Sequence, residues 1–381
     1  MIYWSFYTPA RKKIASVAII SIALLSGCFS GPKKPQPVEL TAVTTLVAAT
    51  PGWTARLGPV TFPLAVTAVD RTLAVASDDG TVALLDAQTG RDIWRAALGT
   101  TISAGVGSDG VTAAVVTRGN DLVALRDGRE LWRQKMGAQA FTAPFVAGGR
   151  VFVLAADRSV NAFDGQTGRK LWVQQRPNEP LVLKQSGVML AVGDTLVVGL
   201  AGRLAGLNPL NGSVRWEVPI ASPRGINDVE RLVDLVGGVS RQGDVVCVRA
   251  FQASIGCVNA VRGNLLWTKP ANGLQGVNGD SRLVYGAETD GVVLALRGAD
   301  GERAWSTDKL RYRQLTAPLV AGRSVVVGDS TGFLYLLSRE DGSLLNRLPT
   351  DGSAMAANPV LAGKMFIAVT RSGGVFSFLP E

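Results

Sequence analysis

Seven times along this chain a short apolar run, a tight-turn signal and a second run close on one fixed pattern. The plainest copy is residues 159–172, SVNAFDGQTGRKLW. Aligned on its final Trp172 it brings in copies ending at Trp94, Trp132, Trp216, Trp267 and Trp305, and a seventh that ends on Asn346. In each copy a Gly stands four residues before the closing position: Gly90, Gly128, Gly168, Gly212, Gly263, Gly301 and Gly342. A Gly so placed marks a hairpin turn that needs positive φ, a conformation costing a residue with a Cβ roughly 1–2 kcal/mol. Asp86, Asp164, Asn208 and Asn259 precede it with side chains that cap such turns. The Trp reads as a packing anchor, since burying most of an indole removes roughly 150–250 Å² from water. These positions dictate a fold and carry no chemistry.

The closing positions, from Trp53 to Asn346, recur at roughly 40-residue intervals, a period that marks a repeat architecture. Between them run two more strands, as at residues 143–146 followed by Arg150–Leu154. Four short strands per repeat make a propeller blade. The last unit has strands at residues 358–361, 365–369 and 374–379 and lacks a fourth, whereas Trp53 belongs to a lone strand with no turn before it. The two fragments complete each other and abolish the exposed edges. The expected fold is therefore all-β: an eight-bladed β-propeller of four-stranded blades over residues 51–381, its last blade closed by the N-terminal strand. Abundant Gly (44 residues) and 47% apolar content without helical periodicity suit this reading.

Ahead of the repeats, Arg11, Lys12 and Lys13 precede an apolar run at residues 14–25, too short to span a bilayer and typical of a signal peptide. Leu25-Ser26-Gly27-Cys28 resembles the bacterial lipobox, which implies cleavage of residues 1–27 and lipidation of Cys28. With Phe29 and not Asp next, it also implies sorting to the outer membrane. The alternative is a signal peptide that happens to end near a Cys. Residues 28–50, with the run GPKKPQP, read as a lipidated Cys and a flexible tether.

The chain contains no His, which removes Ser-His-Asp and Cys-His nucleophiles and the commonest zinc ligand sets. We expect no catalytic residue, no metal and no cofactor. The net charge of +9 is spread through turns without a basic helix or an aromatic-interleaved stripe, so no nucleic-acid partner is expected. Two connections between blades are longer than the rest. One holds residues 174–185, QQRPNEPLVLKQ, with Leu181 and Leu183; the other holds residues 226–235, INDVERLVDL, with Arg231 and Asp234. They fall at equivalent places in consecutive blades, so they lie side by side on one face and form a candidate protein-binding patch. Alternatively, Leu181 and Leu183 begin the next strand and point inward. Cys247 and Cys257 flank a turn at residues 251–253 and face each other across a hairpin. They form either a disulfide or, Cys257 filling the small-residue slot of Ala162, Gly206 and Ala295, a compact core pair.

The core D-x-x-T-G-x-x-x-W at residues 86–94 and 164–172 resembles the PQQ-type propeller repeat. With the lipobox, the tether and the repeat number, residues 28–381 resemble the BamB family, lipoproteins of the outer-membrane β-barrel assembly machinery. The resemblance implies a non-enzymatic scaffold, lipid-anchored on the periplasmic side of the outer membrane, that binds the POTRA domains of BamA within the BAM complex and assists insertion of β-barrel proteins. It does so either by orienting those domains or by offering strand edges to unfolded outer-membrane protein substrates. The family's Leu-x-Leu-Arg loop matches Leu181, Leu183 and Lys184, and its Arg-Leu-x-Asp-x-Asp loop matches Arg231, Leu232 and Asp234. Lys184 replaces an Arg and loses its bidentate fork, and Val236 replaces the second acid. The enzymatic alternative is a PQQ-dependent dehydrogenase, whose members resemble one another in a vicinal Cys pair that this chain lacks. A third reading is an envelope scaffold or sensor propeller unrelated to BamA.

Overall fold

The seven turn glycines all lie at positive φ, between 67° and 76°. At Asp86 the hairpin turn is capped as its sequence demands: the carboxylate accepts the backbone N–H groups of Gln88 and Thr89 and the Thr89 hydroxyl. The hydroxyl bond foremost holds that carboxyl below its ordinary range. Each turn joins the third and fourth strands of a blade. Its glycine serves a second purpose, because a Cβ on Gly90, Gly168, Gly212, Gly263, Gly301 or Gly342 would meet the indole of the preceding blade's Trp within 2.2–2.6 Å. Only a bare backbone lets the ring come so close. The indoles of Trp53, Trp132, Trp172, Trp267 and Trp305 then donate Nε1–H to carbonyls of the next blade's turn at 2.8–3.0 Å. The Trp residues are thus clamps between blades. Trp132 and Trp267 are buried, and the others are half-exposed on outermost strands.

The computed structural model describes residues 35–40, 42–175, 181–223, 226–227 and 231–381. The Cys28 lipobox, most of the expected tether and parts of both long connections lie outside the described residues. The described structure is all-β, with eight antiparallel four-stranded sheets. Blades 1 to 7 occupy residues 67–97, 102–135, 145–174, 189–219, 235–270, 277–307 and 319–349. Blade 8 takes Val360–Ala362, Met365–Val369 and Gly374–Pro380 from one end of the chain and Ala49–Arg56 from the other. Ala49 pairs with Pro380 and Arg56 with Gly374, with a register shift between Pro51 and Thr54. First strands pack on first strands around the axis, and that of blade 1 meets that of blade 8. Second and third strands are buried on both faces by neighbouring blades, as at Thr72–Ala76 and Thr81–Asp86, which explains their near-continuous apolar sequence.

Closure also explains the copy that ends on Asn346. Blade 8 has no turn between its third and fourth strands, so a Trp on blade 7 would have no glycine turn to rest on. Asn346, 6% exposed, instead donates its amide to Val47 O at 2.9 Å. Leu46 N–H donates to Leu345 O nearby. Described residues of the segment expected as free tether lie on the ring: Val38 N–H donates to Arg311 O, Arg313 donates to Val38 O, and Leu40 packs on the core of blades 6 and 7.

Cys247 and Cys257 are directly paired across the second and third strands of blade 5, buried and joined by a disulfide. Replacing both by Ala is expected to lower unfolding free energy by about 3 kcal/mol, from the loss of a crosslink closing a short loop. Urea denaturation of both proteins, unreduced, checks this. Two alkylatable thiols in unreduced, denatured wild type would contradict it.

Candidate functional site

Connections from the fourth strand of one blade to the first of the next emerge on the same face as the turns between second and third strands. The two longest are residues 175–188, between blades 3 and 4, and 220–234, between blades 4 and 5. The first strand of blade 4 starts only at Met189, so Leu181 and Leu183 precede it and belong to the loop. Leu181 is 41% exposed, Lys184 and Arg231 are exposed, and Leu183 is half-buried. Ile226, on the second loop, is 98% exposed.

Asp234 is mostly covered. Its Oδ1 accepts Nη1–H of Arg158 at 2.6 Å, its Oδ2 accepts the Leu183 N–H at 2.9 Å, and its carbonyl accepts the Phe251 N–H. Arg158 also donates from Nη2 to Leu181 O at 2.8 Å. The side chains of Arg158 and Asp234 are only 9% and 13% exposed. One buried ion pair therefore ties the two long connections to each other and to blade 3. Below it Gly187 N–H donates to Thr142 Oγ1, Gly237 N–H to Ser186 O and Leu235 N–H to Ala201 O. Together they enclose a cleft of about 50 Å³ lined by Arg158, Leu183, Asp234 and Val236 among others.

Sequence reasoning made Asp234 a rim charge available to a partner, but the geometry makes it the internal hinge pin of both loops. Arg231 stands three residues away on the surface, its N–H donating to Asn227 O. Asp234 is bonded directly to the Leu183 N–H and, through Arg158, to Leu181 O, whereas no bond among the described residues links the Arg231 or Lys184 side chain to them. Val236, which breaks the family pattern, is buried in the first strand of blade 5 and could not present a charge outward without disrupting it.

Arg158 is the residue that sequence reasoning missed, and a signal existed. The turn between second and third strands holds one positive-φ residue in every blade: Gly80, Asn120, Arg158, Ala201, Gln252, Gly291, Gly332 and Gly373. Five are the Gly or Asn that such a backbone favours. Arg158, Ala201 and Gln252 are not, and they fall in blades 3, 4 and 5, which the long connections join. Backbone strain that a structure tolerates concentrates where side chains have a task.

Among the described residues no group of three or more Cys, Asp or Glu is placed to hold a metal ion. The family model described as outer membrane protein assembly factor BamB matches residues 78–307. The chain is 37% identical to the outer membrane protein assembly factor BamB of Burkholderia pseudomallei, over 97% of this chain and 99% of that protein. Among solved structures it resembles BamB from Moraxella catarrhalis, with a TM-score of 0.80 at 22% identity, covering 87% of this chain and all of that one. It also resembles quinohemoprotein alcohol dehydrogenase from Comamonas testosteroni, with a TM-score of 0.66 at 15% identity, covering 87% of this chain and 76% of that one. Likeness at such identities is likeness of fold alone.

Proposed function

Because this chain belongs to the BamB family of outer membrane protein assembly factors, we propose that it is a non-enzymatic scaffold lipoprotein that docks on the POTRA region of BamA and assists β-barrel insertion. The observation that supports the docking reading is the locked pair of loops. Two long connections, pinned together by Arg158 and Asp234, hold Leu181, Ile226, Lys184 and Arg231 at the surface of one face. Apolar anchors beside exposed charges, on a frame tied together at Asp234, are what a protein interface uses. Leu181 and Leu183 serve as desolvated contacts and Lys184 and Arg231 set orientation. Asp234 acts from inside. The purified ring should form a saturable complex with the isolated POTRA region of BamA and carry no quinone chromophore. A ring that binds quinone and ignores the POTRA region would return the enzymatic reading.

In this proposal residues 1–27 are removed, Cys28 is lipidated, and the anchor holds the ring on the periplasmic side of the outer membrane. At Val38 the chain is bonded to the ring beside Arg311, on the face of the long loops. Changing Cys28 to Ala is expected to leave the propeller folded and move it from the membrane to the soluble fraction. Mass spectrometry of the wild type and fractionation of both proteins check this. Wild type without lipid, or a variant still in the outer membrane, would reject the anchor.

A further inference from the structure

The axis opens, on the face of the long loops, into a cavity of about 730 Å³. Four charged side chains line it: Lys184, Glu288, Asp329 and Arg371. The two acids are already neutralised from within the wall. Glu288 is paired with Arg249, fully buried, at 2.9 Å, and also accepts the Asn272 N–H. Asp329 is paired with Arg313, also buried, at 2.8 Å, and accepts the Tyr335 hydroxyl and the Thr331 and Phe333 N–H groups. Room for Arg249 is made on purpose, since a Cβ on Gly273 or Gly286 would lie within 2.1–2.3 Å of its guanidinium nitrogens. Among the described residues the two cations have no such partner. Neither Lys184 nor Arg371 makes an ion pair among the described residues, and both are exposed. Among the described residues that line it, the opening therefore carries a positive charge without a paired acid, over low-dielectric walls that concentrate its field.

Lys184 leads into blade 4 and Arg371 is on blade 8, half a ring away. One compact anion cannot satisfy both, whereas an extended chain with several carboxylates can. The wall between them offers amides rather than further cations. Gln275 and Gln314 line the cavity with side chains that have no hydrogen bond among the described residues. Gln314 is held there by a backbone at φ 55°, a conformation that a Gln seldom adopts. An amide both donates and accepts, matching a peptide backbone better than a phosphate polymer.

We propose that this axial opening is a second binding site, which shares Lys184 with the loop patch but is otherwise separate from it, for an extended acidic peptide segment whose carboxylates reach Lys184 and Arg371 while Gln275 and Gln314 engage its backbone. It goes beyond the docking of POTRA domains and does not depend on it. The test is fluorescence anisotropy of a labelled oligoglutamate peptide on the intact ring, against an oligoglutamine peptide. Arg371→Glu and the milder Arg371→Gln are compared with Lys364→Glu, an equal charge reversal on the opposite face. We expect saturable binding of oligoglutamate only, weakened roughly tenfold or more by Arg371→Glu and by rising salt, and unchanged by Lys364→Glu. Arg371→Gln should fall between. Circular dichroism checks that each variant is folded. Equal losses from both charge reversals would reduce the effect to net charge and overturn the site. Displacement by citrate as readily as by unlabelled peptide would overturn the extended ligand. Unaltered POTRA binding by Arg371→Glu keeps this result separate from the docking reading.

Discussion

Arg158→Ala is expected to uncouple the two long loops and to cost the patch about 3 kcal/mol of local stability. The reason is the asymmetry of buried ion pairs: removing one partner leaves the other charge desolvated without compensation. Asp234 would lose the guanidinium it is paired with and Leu181 O its donor, while the rest of the ring keeps its Trp clamps. Hydrogen exchange at the Leu183 amide, which donates to Asp234 at 2.9 Å, should accelerate on the order of a hundredfold. Amides of the second and third strands should hold. Arg158→Gly is the informative companion, since Gly relieves the positive φ of 61° and recovers roughly 1–2 kcal/mol of backbone strain. Asp234→Asn, which retains an acceptor for Leu183 N–H, should be milder than Asp234→Ala. All of these should weaken POTRA binding without removing a side chain that reaches the partner. An Arg158→Ala ring with a protected Leu183 amide and wild-type affinity would show that the pair is incidental.

The second large effect is expected from Leu181→Ala combined with Leu183→Ala. Each truncation of a desolvated anchor costs about 1–2 kcal/mol or more, so the pair should weaken binding roughly a hundredfold and abolish co-purification with BamA. The two sites should differ in kind. Leu181, 41% exposed, contributes little to the fold, and its loss should leave thermal unfolding unchanged. Leu183 lines the cleft beside Arg158 and Asp234, so its truncation should also lower loop protection. Charge changes at Lys184 or Arg231 alone should act more weakly and with salt sensitivity, as exposed rim charges do. A folded double-Leu protein that binds with unchanged affinity would move the docking surface elsewhere on the ring.

The architecture was legible because what encodes it is local and repeated. Positive φ at seven glycines, a Trp four residues on from six of them, a lone strand at one end and a three-stranded unit at the other are enough to require blades and a shared eighth sheet. Backbone sterics act within a turn, and the repeat period sets where each turn falls. The same spacing located both long loops. It could not show which loop residues face a partner, because that depends on pairs brought together by the ring. Arg158 and Asp234 are neighbours only because blades 3 and 5 converge on a connection that passes between them. Asn346 reads as a worn copy of the Trp until closure shows that the turn a Trp would rest on does not exist and that Val47 O stands in its place. Likewise, that Lys184 and Arg371 at the axis have no paired acid among the described residues appears only after Arg249 and Arg313 are seen to occupy Glu288 and Asp329. Turn chemistry and period are properties of neighbouring residues and are written in order along the chain. Ion pairing between blades is decided by distance in space and by desolvation, and a linear sequence states neither.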